Sequence, residues 1–488
     1  MIVHKFGGTS VGDAQRFANV ADIVIEHQDQ HGTASAEAVV VVSAMSGVTN
    51  ALIAGARAAS EGKDTAYRQI KAELLNKHLE VAENLLTHSR ERLEVGGLVE
   101  DRLHSLERLY RSIAVLGELT VRGSDAVASL GEQLSSSILA AVLREQDVRA
   151  QAISGTELIV TDDNYGAATP LMKLTRQRLQ QRIRPLVERG VIPVITGYVG
   201  ATEQGVTTTL GRNSSDYTAA IVGAGLDADE VWIWSDVNGI LTADPNIVPQ
   251  ARTLSELSYA EAANLACYGA NVLHPRTIRS VTQSGILLRI VNSFNASHPG
   301  TLIVDRPSPD RELLPAIIST TGLTMIAVGS QDDAWTLQMS ARALQRLSEA
   351  GLDVPMFSQS FSEHSLNLVV HKQDQAHCLN VLCHEFGGDR ARVPSARYLQ
   401  GESDATFKLG DACNLGTKEN VATISVVGVP GWNETGIVSH AFAALGQHGI
   451  RVIAVAQAAT EYSVSFCIPE DQVADTVRFL HRELGLEE

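Results

Sequence analysis

The sequence predicts an α/β protein in which a three-layer αβα sandwich precedes two smaller α+β units. Over residues 1–296, short apolar runs alternate with long helical repeats, which is typical of a parallel sheet covered by helices. Beyond this region, two stretches of the chain match each other at an offset of 98 residues. With 488 residues, the chain has room for roughly two to four domains.

The first region is predicted to alternate strands and helices. Apolar runs without polar alternation predict strands buried on both faces of a sheet, at residues 39–42, 191–195 and 231–234. Apolar residues at helical spacing predict helices over residues 70–86, 103–116 and 171–187, the last of them ending before Gly190. Parallel strands of this kind place a site at their C-terminal ends.

The later repeat predicts two copies of a βαββα unit. Gly351-Leu352-Asp353-Val354 aligns with Gly449-Ile450-Arg451-Val452, and Gln359 aligns with Gln457. Because identities and hydrophobic pattern keep one register, we expect a duplication. The predicted segments are therefore a first domain over residues 1–296, repeat units over 313–386 and 419–488, and a polar, weakly periodic linker over 387–418. Strands can be exchanged between the two units.

Composition and charge exclude several classes of protein. There are 39 Lys and Arg against 56 Asp and Glu, so the formal charge of −17 argues against nucleic acid as a partner. No run of 18 apolar residues occurs, so we expect no membrane span. The first residues enter a strand directly, so we expect no signal peptide. Five scattered cysteines without a CxxC pair predict neither a disulfide framework nor a zinc site, and they favour a cytoplasmic location.

Three segments carry residue types suited to phosphate and carboxylate chemistry. The first, Lys5-Phe6-Gly7-Gly8-Thr9-Ser10, joins a lysine on a strand to two glycines at a strand-to-helix turn. Glycines let backbone N–H groups approach a phosphate, and a lysine beside them stabilises charge on a transferring phosphoryl group. The alternative is a tight turn with a surface lysine, and the segment lacks the GxxxxGK pattern of a P-loop.

The other two segments supply a guanidinium, acids and hydroxyls. Leu210-Gly211-Arg212-Asn213-Ser214-Ser215-Asp216-Tyr217 precedes a helical run, and the fork of Arg212 matches a carboxylate. The alternative is that Asp216 or Ser215 caps the helix and pairs with Arg212 at the surface. In Trp234-Ser235-Asp236-Val237-Asn238-Gly239, a turn after a buried strand would hold Ser235 and Asp236 over a ligand, although an ordinary Asp/Asn-rich turn fits almost as well.

Together these segments resemble aspartate kinase, in the same order and over the whole chain. The resemblance rests on residues 5–11, 210–217 and 234–239, and on Tyr268-Gly269-Ala270-Asn271-Val272-Leu273-His274-Pro275. It implies the amino-acid kinase fold followed by two ACT domains of the ferredoxin-like α+β type. The repeat units are most similar to the threonine-responsive region of bifunctional aspartate kinase–homoserine dehydrogenases, but the chain ends at Glu488, so we expect no dehydrogenase domain.

The resemblance implies a reaction and assigns roles to residues. It implies phosphoryl transfer from ATP with Mg²⁺ to the side-chain carboxylate of L-aspartate, the first step toward lysine, threonine and methionine. A carboxylate is already ionised at pH 7 and needs no general base. The implied catalytic residues are Lys5, Arg212 and Asp216, with no protein ligand assigned to a metal. The implied ATP-binding residues are Lys5, Gly7, Gly8, Ser235, Asp236, Leu241, Asn246 and Asn271. The implied substrate-binding residues are Ser43, Thr49, Glu132, Arg212 and Ser215.

Three positions depart from the family pattern. Asn271 replaces a lysine before Val-Leu-His-Pro, Asn246 replaces a basic residue after Asp-Pro, and Leu241 replaces an aromatic residue. We therefore expect weaker ATP binding or slower turnover. Two alternatives stay open, a kinase for another acidic amino acid and a decayed kinase that acts as an amino-acid sensor.

The repeat units imply regulation and assembly. We expect feedback by threonine through Gln359 and Gln457, because a primary amide can bind both charged ends of a small zwitterion. Lysine is the alternative effector, and the alternative interpretation is that both glutamines are solvated residues at strand edges. Paired ACT domains also imply a homodimer or homotetramer.

Overall fold

The computed structural model describes most of the chain, as two compact units. The described residues are 1–30, 37–211, 214–269, 273–329, 336–360, 365–386, 404–409, 413–428, 436–457 and 463–487. The first unit comprises Met1–Ile240, Thr253–Ala266 and Asn271–Arg311, and the second comprises Leu241–Arg252, Cys267–Ala270 and Glu312–Glu488.

An eight-stranded sheet forms the centre of the first unit. Its strands and a separate β5–β6 hairpin are β1 (Ile2–Phe6), β2 (Ala38–Val42), β3 (Ala150–Ile153), β4 (Ile192–Thr196), β5 (Val199–Ala201), β6 (Thr207–Thr209), β7 (Glu230–Ser235), β8 (Glu256–Ser258), β9 (Leu287–Asn292) and β10 (Thr301–Val304). The spatial order is β3-β4-β2-β1-β7-β9-β10-β8. Neighbouring strands are parallel except for β9 and β10.

Helices follow most of these strands. They are α1 (Ala14–Gln30), α2 (Val48–Ser60), α3 (Asp64–Leu85), α4 (Ser89–Leu116), α5 (Val121–Ala128), α6 (Leu130–Glu145), α7 (Gly155–Leu158), α8 (Met172–Arg182), α9 (Arg184–Glu188), α10 (Ser215–Leu226), α11 (Tyr259–Cys267) and α12 (Pro275–Ser284). Every residue of β2 and β4 is buried, as their unbroken apolar runs predict. The predicted αβα sandwich is confirmed.

Helices α5 and α6 form a long apolar helical stretch that is mostly buried. By length and composition alone, Val121–Glu145 could span a membrane, but 83% of its most apolar stretch is buried inside the fold. Helix α6 lies against β3 and β4. Its apolar composition therefore serves the core of the first unit.

Two boundaries differ from the sequence-based expectations. The helix expected over residues 171–187 is interrupted at Ile183, because Pro185 lies in the first turn of α9 and has no N–H to continue a helix. The break expected at residue 296 is the turn between β9 and β10, so the first sheet continues beyond it. At that turn, a Cβ on Gly300 would lie 1.9 Å from the carbonyl oxygen of Ile290.

One antiparallel sheet forms the second unit. Its elements are β11 (Ala316–Gly329), α13 (Leu337–Glu349), β12 (Met356–Ser360), β13 (Ser365–His371), α14 (Gln375–Phe386), β14 (Asp404–Leu409), β15 (Cys413–Val427), α15 (Ile437–Gln447), β16 (Ala454–Gln457), β17 (Ser463–Pro469) and α16 (Val473–Glu483). The strand order is β12-β13-β11-β15-β17-β16, with β14 paired to β15. Strands β13 and β17 begin and end 98 residues apart, so the predicted repeat is confirmed.

Each long strand of the second unit serves both repeats. Residues 316–320 of β11 pair with residues 423–427 of β15, whereas residues 325–329 of β11 pair with residues 414–418. The structure here differs from the linker expected over residues 387–418, of which 404–409 and 413–418 form paired strands. In β15, Leu415 and Thr417 are both buried. Because the inward-facing Thr417 is polar, the sequence does not show the alternation of apolar and polar residues that marks a strand.

Candidate active site

The candidate site is a cavity of about 640 Å³ in the first unit, at the C-terminal ends of β1, β2 and β7. Ten residues singled out in the sequence line it: Lys5, Gly7, Gly8, Ser43, Thr49, Glu132, Ser215, Asp216, Ser235 and Asp236. Their chain positions are far apart, and the parallel sheet brings them together because the strands end at one edge.

Lys5 and Asp216 form an ion pair in this cavity. Lys5 Nζ lies 2.5 Å from Asp216 Oδ1, and both side chains are largely shielded from solvent. Lys5 is on β1 between β2 and β7, so the alternative of a surface lysine does not hold. The N-cap residue of α10 is Ser214, so Asp216 is free of the capping role and lies in the first helical turn. There the helix N-terminus also stabilises its negative charge.

The glycine turn after β1 packs closely against the end of β7 and the loop after β2. The N–H of Gly7 points to the carbonyl oxygen of Trp234 at 3.4 Å, and the carbonyl oxygen of Gly8 accepts from the N–H of Ser46 at 3.1 Å. A Cβ on Gly8 would lie 2.8 Å from the carbonyl oxygen of Ala44, closer than real Cβ atoms approach. The turn thus has room for backbone alone, as a phosphate-binding turn requires.

Glu132 supplies a buried carboxyl group to the cavity. It lies in the first turn of α6 and is 3% exposed. Burial raises the pKa of Glu132 to about 8, although N–H groups of Glu132 itself and Ala44 act in the opposite direction. Its Oε2 has no hydrogen-bond partner, although the residue lines the cavity. An unpartnered buried carboxyl oxygen beside a cavity fits a cationic ligand group.

The turn after β2 lines the cavity with backbone and hydroxyl groups. The N–H of Ser43 donates to the carbonyl oxygen of Phe6 at 3.1 Å, which joins the ends of β2 and β1. Gly47 has φ 81° and is the N-cap of α2, whose first turn carries Thr49. Sequence reasoning chose Ser43 and Thr49 but missed six other lining residues of this segment, namely Ala44, Met45, Ser46, Gly47, Asn50 and Ile53.

Tyr198 also lines the cavity and was missed. It follows β4 and has φ 68°, a left-handed conformation that strains a tyrosine by roughly 1–3 kcal/mol. Two hydrogen bonds hold it there, from its N–H to Thr218 Oγ1 at 2.9 Å and from the N–H of Leu210 to its carbonyl oxygen at 2.9 Å. Its position directly after a predicted buried strand was the available signal.

Among the described residues, none of the other candidates lines this cavity. Arg212 and Asn271 lie outside the described residues. Leu241 and Asn246 belong to the second unit, where the amide of Asn246 donates to Asp244 Oδ1 at 3.0 Å. Gln359 lies on β12 and Gln457 on β16. Within the described ranges, no group of three or more His, Cys, Asp or Glu side chains could hold a metal ion.

Comparisons with known proteins match the whole chain. The amino acid kinase family model matches residues 1–292, and an ACT domain model matches residues 335–386 and 424–484. Aspartokinase 1, chloroplastic, of Arabidopsis thaliana is 30% identical over 98% of this chain and 79% of its own length. The bifunctional aspartokinase/homoserine dehydrogenase 2, chloroplastic, of the same plant is 31% identical over 99% of this chain. This chain spans 50% of that bifunctional relative.

Solved structures give the same result. E. coli aspartokinase III in complex with aspartate and ADP has a TM-score of 0.78 and 26% identity, and the match covers 99% of both chains. The same enzyme in complex with lysine and aspartate has a TM-score of 0.75 and 27% identity, again over 99% of both chains. The chain therefore belongs to the amino acid kinase family, and the relatives it matches there are aspartokinases.

Proposed function

We propose that this chain transfers a phosphoryl group from MgATP to the side-chain carboxylate of L-aspartate, giving 4-phospho-L-aspartate and ADP. The observation that carries the proposal is Glu132, which lines the cavity that also holds Lys5 and the glycine turn and has a buried carboxyl oxygen without a hydrogen-bond partner. An α-ammonium group supplies the missing cation, and a phosphate suits the lysine and the glycines. The relative solved with aspartate and ADP supports the same pair of ligands.

The cavity's charges account for catalysis without a general base. The attacking carboxylate is ionised at neutral pH, so the enzyme has to align it and neutralise charge on the phosphoryl group. Lys5 neutralises charge on the phosphoryl group. Asp216, whose Oδ1 lies 2.5 Å from Lys5 Nζ, keeps the ammonium group of the lysine in position. Ser235 and Asp236 serve the nucleotide side, Mg²⁺ arrives with ATP, and Arg212 binds the substrate α-carboxylate.

The two alternative functions have less support. A kinase for another acidic amino acid would share every feature of this cavity, but the relatives matched over the full chain are aspartokinases. A decayed sensor was suggested by Asn246 and Asn271. Against it, Lys5, Glu132 and Asp216 are all present in one cavity.

Turnover over a panel of acids tests the proposal. ADP release is measured with MgATP and L-aspartate, L-glutamate or D-aspartate, and the acyl phosphate is trapped with hydroxylamine to identify the product. We expect hydroxamate from L-aspartate only. Arg212→Ala should lower kcat/KM for L-aspartate, whereas Arg306→Ala, an exposed arginine of the first unit, serves as the matched control. ADP release without hydroxamate would contradict the proposal.

We further propose feedback by threonine through Gln359 and Gln457. These glutamines lie opposite Leu366 and Val464, which belong to the helix-covered cores of their repeats, so both amides share the face that carries the helices. Lysine is the alternative, because the E. coli relative was solved with lysine. Titration of both amino acids against wild type, Gln359→Ala and Gln457→Ala decides between them. Inhibition by neither one would refute feedback through this unit.

We also propose that the protein is a cytoplasmic homodimer or homotetramer assembled through the ACT repeats. The support is the match of the second unit to an ACT domain model and the exposed side chain of Phe357 on β12, an edge strand of the sheet. Light scattering after gel filtration, with Phe357→Ser as the variant, measures the assembly. A monomer at micromolar concentration would contradict it.

A further inference from the structure

Three serines form a buried junction between the loop after β1, the end of β7 and the loop after β9. Ser10 Oγ lies 2.9 Å from Ser293 Oγ, and Ser293 Oγ donates to the carbonyl oxygen of Ser235 at 3.0 Å. The N–H of Ser293 donates to that same carbonyl oxygen at 2.9 Å. Ser10 and Ser293 are each 1% exposed, so water does not compete for these bonds.

The direction of each hydrogen bond follows from the number of protons. A serine hydroxyl has one proton and two lone pairs. Because Ser293 gives its proton to the carbonyl oxygen of Ser235, Ser10 must donate to Ser293 Oγ. Ser293 is therefore the only hydroxyl of the three described serines that both accepts and donates within the junction. Asn19 Nδ2 also donates to the carbonyl oxygen of Ser293 at 2.6 Å, which fixes the backbone of this residue.

The junction spans the strands that carry the phosphate side of the cavity. In the sheet, β7 lies between β1 and β9. The strands that precede Ser10 and Ser293 are therefore about 10 Å apart. Gly7, Gly8 and Thr9 line the cavity just before Ser10, and Ser235 lines it at the end of β7. The hydroxyl of Ser293 thus links the glycine turn to the end of β7.

A second connection acts in parallel through the next residue. The guanidinium of Arg16 lies over the ring of Phe294 at 5.3 Å, and its NH1 donates to the carbonyl oxygen of Thr9 at 2.9 Å. The segment after β9 therefore holds the glycine turn at Thr9 as well as at Ser10. No residue of this segment lines the cavity, so any effect on a ligand passes through the two loops.

We propose that Ser293 is a positioning residue that holds the glycine turn and Ser235 at the spacing needed to bind the phosphates of MgATP. This inference rests on the proposed function only in the choice of nucleotide. In Ser293→Ala, Ser10 loses its acceptor, while the carbonyl oxygen of Ser235 keeps the N–H of residue 293. The hydroxyl link from Ser10 to Ser235 is then lost without loss of a group that touches the ligand.

Nucleotide binding and kinetics of the full-length chain test the inference. We expect Ser293→Ala to raise the dissociation constant of MgADP and the KM for ATP about tenfold, the size of one misplaced hydrogen bond, with the KM for L-aspartate within about twofold. Ser10→Ala should have the same effect, and the double variant should be no worse than either single variant, because the same connection is lost.

A buried serine pair in the second unit provides the matched control. Ser425 Oγ and Ser465 Oγ lie 2.7 Å apart, and both residues are buried. Ser465→Ala should lower the melting temperature as much as Ser293→Ala does but leave MgADP affinity unchanged. Equal MgADP affinity in Ser293→Ala and wild type, or additive effects in the double variant, would overturn the inference. Nucleotide binding without aspartate turnover in the wild type would refute the proposed function instead, because MgADP affinity still measures the role of Ser293.

Discussion

The carboxyl group of Glu132 should make aspartate binding depend strongly on pH. Burial raises its pKa to about 8, so at pH 7 only about a tenth of the ligand-free protein carries the carboxylate that binds an ammonium group. The apparent affinity is reduced by that fraction. Between pH 6 and pH 8 the ionised fraction rises from about 1% to about 50%, so the KM for aspartate should fall by about 50-fold.

Replacement by glutamine isolates this effect from other titrations. Glu132→Gln keeps the shape but removes both the charge and the titration, so its KM for aspartate should be high and flat over the same pH range. A charge-assisted hydrogen bond contributes roughly 1.5–3 kcal/mol, so the defect should approach 10- to 150-fold once the wild-type carboxylate is fully ionised. The ratio of the two KM values should therefore increase with pH.

Steady-state kinetics and calorimetry check the magnitude. Calorimetry in two buffers of different ionisation enthalpy should detect release of about 0.9 proton per aspartate bound at pH 7. The KM for ATP serves as the internal control and should not follow the same curve. A KM for aspartate that is constant from pH 6 to pH 8, or a variant that keeps the wild-type pH profile, would refute the reasoning.

The same group affects stability with a defined sign. The folded ligand-free protein holds the proton of Glu132 up to about pH 8, whereas the unfolded chain releases it near the ordinary value of 4.5. The folded state binds more protons in this window, so its stability falls as the pH rises from 4.5 to 8. Glu132→Gln should therefore raise the melting temperature at pH 8.5 more than at pH 5.

Three further predictions concern the phosphate side. Lys5→Met should lower kcat/KM by at least about a thousandfold while circular dichroism stays unchanged, and Asp216→Asn should lower it less because the lysine remains. Gly8→Ala should raise the KM for ATP and lower the melting temperature, since its Cβ would lie 2.8 Å from the carbonyl oxygen of Ala44; an unchanged KM would contradict the close-contact argument. Asn271→Lys should lower the KM for ATP by about tenfold or more, as a charge-assisted contact of roughly 1.5–3 kcal/mol implies, and unchanged affinity would show that the lost lysine is irrelevant here.

The sequence predicted those parts of the fold that depend on local pattern. Buried parallel strands have unbroken apolar runs, and a duplication repeats its pattern in register, so both could be predicted without any knowledge of contacts. Pro185 was visible in the sequence and could have been read as a helix break. The start of β15 was missed because Thr417 occupies an inward position, and hydrophobicity alone does not detect a polar residue there.

Individual contacts of the candidate site could not be predicted from local pattern. Lys5 and Asp216 lie far apart in the chain, and only the sheet and the start of α10 bring them within 2.5 Å. Glu132 was one acid among many until its burial and its unpartnered oxygen were known. Tyr198 has a left-handed backbone conformation, which a tyrosine in the sequence does not indicate because glycine is the usual residue in that conformation.

The segment Leu241–Arg252 explains why a boundary along the chain does not separate the two units. Its Val248 is buried in the core cluster formed by β15, β17, α15 and α16, and Thr242 Oγ1 lies 3.0 Å from His481 Nε2 in α16. The carbonyl oxygen of Thr242 also accepts from the N–H of Ile317 in β11 at 2.8 Å. This segment follows β7, which ends at Ser235, within one continuous stretch of chain. The chain thus passes from the first unit into the second after Ile240 and returns to the first at Thr253, so no single position along the chain is a domain boundary.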